Sequence, residues 1–273
     1  MKTIFFALFL PFFLIAQSNA QITLGEAAYL VGRQQVLAQQ IARAHMAVEL
    51  KMEVQSYRIL ITDGINLYNN HLKQLESFYA NKEVSLAMDN MNEAWDEFYR
   101  ELIDAPQKEE VIELIKLSYD LLLKADKVLA EMEVYAKNSS ELGVDKNALK
   151  LLRLAEYQNA LSQHAILYYL AHWNGVLVSD FFSAMHKVIS EYEANFYDLT
   201  TAADDIPELK EKIMANAYEW NGIAKLITNV KGELRKDELR KVLSSADLLF
   251  RDANAVARAY KILVDAGVAN SDD

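Results

Sequence analysis

From Ala27 onward, apolar and small residues return every three or four positions, at Leu30, Leu37, Ile41, Ala44, Val48 and Met52. That spacing puts side chains on one face of an α-helix. Thr23 and Glu26 precede the run as a capping box does, with a hydroxyl for a backbone N–H and a carboxylate that reaches back. The pattern runs without Pro to about Tyr79, which predicts a helix on the order of 85 Å long at 1.5 Å per residue. Asp63-Gly64 is its weakest point, where a kink or an end is expected. A second helix is predicted from about Glu83 to Ile103, and Pro106 suits the first turn of a third that ends near Lys137. The same plan returns from Lys146 to Leu199, Pro207 to Val230 and Lys236 to Val264. Gly143, Gly232 and Gly267 stand where helix C-caps are wanted. No Asn-Gly or Asp-Gly turn lies between alternating β-branched runs. The expectation is an all-α, elongated helical bundle.

The recurrence goes down to individual residues. A shift of 124 sets Gln34, Leu37, Gln39 and Ala47 on Gln158, Leu161, Gln163 and Ala171. A shift of 125 sets Trp95, Arg100 and Leu102 on Trp220, Lys225 and Ile227, and a shift of 127 sets Ser118 to Leu122 on Ser245 to Leu249. The offset grows only at loops, as in a duplicated module. Each unit reads as one long helix and two shorter ones, with units at 21–143 and 144–273. The short helices cannot cover the whole long one, which leaves two arrangements: each unit covers part of the other, or the units form two independent three-helix bundles.

Composition changes the picture mainly by exclusion. Eight Gly and three Pro in 273 residues are too few for the turns of a sandwich, barrel or Rossmann-type enzyme. With no Cys there is no thiolate metal site, cysteine nucleophile or haem attachment. A net charge of −11 disfavours nucleic acid as a partner. At the N-terminus, Lys2, the apolar run Ile4 to Ala16 and the small residues Ser18-Asn19-Ala20 have the layout of a secretory signal cleaved after Ala20. The expected location is periplasmic or secreted, with no membrane span once residues 1–20 are removed.

The run Gly32-Arg33-Gln34-Gln35-Val36-Leu37-Ala38-Gln39-Gln40 resembles the G-R-Q-R-M-L-S-Q-R motif of the type IV pili methyl-accepting chemotaxis transducer N-terminal domain, a PilJ-type sensor module. Glu156 to His164 is a degenerate second copy that keeps Gln158, Leu161, Ser162 and Gln163, and Trp95, Trp220 and the repeated Asp-Leu-Leu resemble the later helices of the family. The resemblance implies an extracytoplasmic helical sensor related to nitrate/nitrite sensor kinases. In those kinases a motif arginine from each of two protomers holds the anion, which makes a homodimer the candidate assembly here. That arginine aligns with Gln35 and with Asn159, and neutral amides cannot supply its charged fork. Nitrate sensing by that route is not expected. A transducer also needs a transmembrane helix and a signalling region, neither of which follows Asp273, so signalling is expected to need a membrane partner.

The candidate ligand-binding residues are Arg33, Gln34, Gln35, Gln158 and Gln163. Gln34 and Gln158 interrupt apolar stripes, where a buried amide either fixes helix register or meets a polar ligand. Gln35 and Gln39, at i and i+4, read as a solvated face. None of His45, His71, His164, His172 and His186 has a Glu three positions earlier, so no helical carboxylate–histidine metal motif exists, and no metal or other cofactor is expected. Tyr168, Tyr169, His172 and Trp173 form an aromatic cluster that reads as core before it reads as a cage for a cation. No P-loop, Gly-x-Ser-x-Gly or His-Glu-x-x-His occurs, and no catalytic residues are assigned. The expected function is non-catalytic: a sensor-type module that binds a small molecule or an envelope protein. The alternative is a scaffolding bundle that has lost its ligand.

Overall fold

The computed structural model describes residues 22–103, 108–139, 144–175, 181–229 and 235–269. Among the described residues there are eight helices and no strand. In chain order they are α1 (Leu24–Glu49), α2 (Val54–Leu75), α3 (Lys82–Ile103), α4 (Lys108–Asn138), α5 (Lys146–Trp173), α6 (Phe181–Ala202), α7 (Pro207–Thr228) and α8 (Lys236–Ala269). The protein is an all-α helical bundle. Its first four helices have 26, 22, 22 and 31 residues and its last four 28, 22, 22 and 34.

Helix starts follow local chemistry. The Thr23 hydroxyl accepts the Glu26 N–H at 3.0 Å, Asn81 Oδ1 that of Val84 at 2.9 Å, and Asp145 Oδ1 those of Asn147 and Ala148. The Glu26 carboxylate pairs with Lys261 of α8 at 2.8 Å, so the box is used for one of its bonds and the acid for tertiary contact. Pro207 opens α7.

Each expected long helix is two helices. The first breaks at Leu50–Glu53, not at Asp63-Gly64. There the Met52 N–H reaches Ala47 O and the Lys51 N–H reaches Val48 O, both at 2.9 Å, which is a Schellman motif. Lys51, with φ of 56°, holds the left-handed position usually given to Gly, and buried Met52 supplies the apolar contact. Gly64 instead lies buried inside α2, where a Cβ would fall 2.8 Å from Ile41 Cγ1. The glycine lets α2 close onto α1. The second long run stops at Trp173, where Gly175 has φ of 75°, and resumes as α6. At the C-terminus α8 runs past Gly267 to Ala269. The leader 1–20, Pro106, Gly143 and Gly232 lie outside the described residues.

α1 packs against α2, α4, α5 and α8, and α5 against α1, α4, α6, α7 and α8. The two halves do cover one another, through these central helices. Outside them α3 lies on α4, and α7 on α8 and α6. Tyr68 of α2 stacks on Trp95 of α3 at 3.6 Å between ring centroids, and Tyr192 of α6 on Trp220 of α7 at 4.1 Å. Among the described residues no helix is long and apolar enough to cross a membrane.

Candidate functional site

Every residue from Leu30 to Gln39 is buried, so α1 has no solvent face there. This corrects the reading of Gln35 and Gln39 as a solvated pair: both are fully buried. A helix enclosed on all sides has no outside to which its polar residues can turn. α5 is buried almost as completely, from Gln158 to Leu167. Between and around the two helices runs a polar seam of Arg33, Gln34, Gln35, Gln39, Arg43, Glu156, Gln158, Asn159, Ser162, Gln163 and His164.

Much of the seam is tied to neighbouring helices. Gln35 Nε2 donates to Leu122 O at 3.0 Å and Gln39 Nε2 to Ser118 O at 2.5 Å, both on α4. Gln158 Nε2 donates to Tyr192 O on α6 at 3.3 Å. His164 Nδ1 meets Gln39 Oε1 at 2.7 Å, and because that oxygen can only accept, the proton sits on Nδ1. The imidazole lies among Tyr119 and Tyr168, and burial lowers its pKa to about 3, which keeps it neutral. Gln163 Nε2 reaches the Ser162 hydroxyl at 3.4 Å. Arg43 Nη2 pairs with Asp247 of α8 at 2.5 Å.

Other parts are under-satisfied. Among the described residues, neither amide atom of Gln34, neither carboxylate oxygen of Glu156, nor Oε1 of Gln35 or Gln163 meets a hydrogen-bond partner. Such groups cost about 1–3 kcal/mol each when left so.

Arg33 is the centre of the arrangement. Its Nη1 donates to Asn254 Oδ1 of α8, which also accepts from Asn159 Nδ2 at 2.9 Å. The guanidinium lies over the Phe250 ring at 5.1 Å from the centroid. Glu156 Oε2 is 3.5 Å from Nη1, close enough for attraction and too far for a good hydrogen bond. Glu156 fits there because α1 has Gly32 opposite: a Cβ on Gly32 would fall 2.6 Å from Glu156 Cγ. Burial pushes the Glu156 carboxyl up to about 7, against the pull of Arg33 and, more weakly, Arg258.

Arg33 also borders a cleft of about 460 Å³ bounded by α1, α2 and α8. Leu37 and Gln40 line it from α1, Leu60 and Asp63 from α2, and Phe250, Asn254 and Arg258 from α8. Of the five expected ligand residues, Arg33 alone lines this cleft. Gln35 and Gln158 point to backbone carbonyls of α4 and α6, and Gln163 to Ser162. A larger cleft of about 990 Å³ lies at α7 and α8 and includes Tyr169, but none of the five residues lines it.

Glu156, Asn254, Phe250 and Arg258 were not singled out from sequence. Glu156 had a signal: with Arg153 it is one of two Asp, Glu, Lys or Arg residues between Leu151 and Trp173, and an isolated charge in an apolar run calls for a buried partner. Arg153 finds Asp126 at 2.7 Å and Glu133 at 3.2 Å on α4. The aromatic cluster divides, with Tyr168 against His164, Tyr169 and His172 against Trp173, and Phe182 against His172. Among the described residues no group of three or more His, Asp or Glu is placed to hold a metal ion. No protein-family model, curated protein or solved structure matches the chain.

Proposed function

We propose that this protein is a non-catalytic, sensor-type binding module, exported by its N-terminal leader and built from two copies of a helical unit of the PilJ type. The observation that carries the binding reading is Arg33. A guanidinium 8% exposed on its side chain, held by Asn254 and Phe250 and incompletely matched by Glu156, stands at the wall of an open cleft of ligand size. The matched helix lengths and the shifts of 124 to 127 support the duplication, and the Gly32 to Gln40 motif supports the family. Signalling then belongs to an envelope partner that reads the ligand-bound module.

The test is thermal unfolding of the purified protein against small anions, amino acids, amines, sugars and divalent metals. A ligand specific to the native state, at a hundred times its dissociation constant, adds about 2.7 kcal/mol, a shift of several degrees. A saturable shift that is lost in Arg33→Gln supports the binding module.

A second reading, a scaffold that no longer binds ligand, draws on the pairing of Gln35, Gln39 and Gln158 with backbone carbonyls. Such bonds fix helix register without any ligand. No shift across the panel favours it.

A further inference from the structure

The cleft between α1, α2 and α8 presents both signs of charge beside an apolar wall. Arg33 and Arg258 are its two cations, on α1 and α8, and Asp63 is its one carboxylate, on α2. Leu37, Leu60 and Phe250 add apolar lining to the same cleft. We propose that this cleft binds a free α-amino acid with an apolar side chain, the carboxylate on Arg33 and Arg258, the ammonium on Asp63, and the side chain against Leu37, Leu60 and Phe250. The proposal rests on the binding-module reading and names the ligand class.

Four observations support it. Arg33 is fixed before any ligand arrives, by Asn254 on one side and the Phe250 ring on another, which lowers the ordering cost of binding. Its own carboxylate, Glu156, stays in ion-pair range at 3.5 Å without a hydrogen bond from Arg33, so a forked donor still has hydrogen bonds to give to a second carboxylate. Arg258 is exposed, is held at 3.3 Å by the Tyr29 hydroxyl, and lines the same cleft as Arg33. Asp63 makes no ion pair among the described residues, so its charge awaits a cation.

Other ligand classes use less of this surface. An inorganic anion leaves the apolar wall and Asp63 idle, a fatty acid leaves Asp63 unpaired, and a polyamine meets two guanidiniums. A volume of about 460 Å³ lies at the small end of ligand sites.

Calorimetric titration with L-leucine, 4-methylpentanoate and isopentylamine tests the assignment, because the last two lack the ammonium and the carboxylate in turn. Leucine should bind saturably, and each analogue at least about tenfold more weakly. Arg258→Gln should weaken leucine about tenfold or more with an unchanged urea midpoint, and Asp63→Asn should reduce leucine to the level of 4-methylpentanoate. Both side chains are exposed, so neither change threatens the fold. Equal binding of leucine and 4-methylpentanoate, or leucine binding indifferent to both variants, overturns the proposal. So does the absence of binding for leucine, valine and phenylalanine at millimolar concentration. In that case a thermal shift from another ligand class leaves the binding-module reading standing, and no shift from any class removes both.

Discussion

The two halves place the same aromatic pair in the same position and satisfy it differently. In the second half the Tyr192 hydroxyl donates to Asn216 Oδ1 at 2.8 Å, Asn216 Nδ2 donates to Leu249 O on α8, and Gln158 reaches Tyr192 O from α5. One stack is thereby tied to α5 and α8. In the first half Met91 stands at the place of Asn216, and the Tyr68 hydroxyl and Gln34 amide find no partner among the described residues. Trp95 Nε1 donates to Asn69 at 3.2 Å, whereas Trp220 Nε1 has no partner among the described residues. Glu156 likewise has Gly32 as its counterpart. Matched apolar positions carry the packing, and unmatched polar positions decide how firmly each half is held. The half with the looser polar network is also the half whose α1 and α2 border the cleft at Arg33.

Four measurements bear on that comparison. The largest effect should come from the rings themselves: Trp95→Ala and Trp220→Ala should each cost about 3–5 kcal/mol in urea unfolding, because each empties a buried site. Unequal costs would show that the two stacks do not carry equal packing.

Next is Glu156. Its pKa is near 7 when folded and about 4.5 for the same carboxyl in water, so folding takes up a proton there. That contribution is full below about 4.5 and is lost as pH rises through 7. Glu156→Gln removes it, so from pH 5 to pH 8.5 the variant should gain roughly 2–3 kcal/mol on the parent in matched urea titrations. His164 and His71 act with the opposite sign, because burial lowers them to about 3 and about 4. Their contribution is full above about 6.5 and falls away in acid. A pH-independent gap between Glu156→Gln and the parent would mean that Glu156 is not held in a desolvated site.

The hydroxyls separate the halves more finely. Tyr192→Phe strands Asn216 and should cost about 1–2 kcal/mol, while Tyr68→Phe should be neutral or stabilising. Equal effects would erase the difference between the two stacks. The smallest change concerns the break after α1, where Lys51→Gly should raise stability by about 1 kcal/mol by relieving a left-handed backbone. A loss instead would mean that the Lys51 side chain stabilises the turn.

The helical class and the helix starts at Thr23 and Pro207 were legible because they depend on neighbours in the chain. The break at Lys51 was not, because a Schellman motif without Gly leaves no mark in composition. Asp63-Gly64 misled for the converse reason: Gly64 serves the approach to Ile41, a contact made far along the chain. The site was legible only in part. Arg33 stood out in its motif, but Asn254 and Arg258 are surface-like residues of α8 whose role comes from packing against α1. Gln35 and Gln39 were misjudged because a one-sided stripe presumes a solvent side, and α1 has none there.

The enclosure of α1 also bears on assembly in time. Its first residues emerge from the ribosome before those of any other described helix, yet Arg33 meets Asn254 across 221 positions and Tyr29 meets Arg258 across 229. Helical bundles usually fold fast because their contacts are local. Here the first of the described helices completes its enclosure only when α8 arrives, so a chain interrupted before α8 leaves that buried segment open on one side.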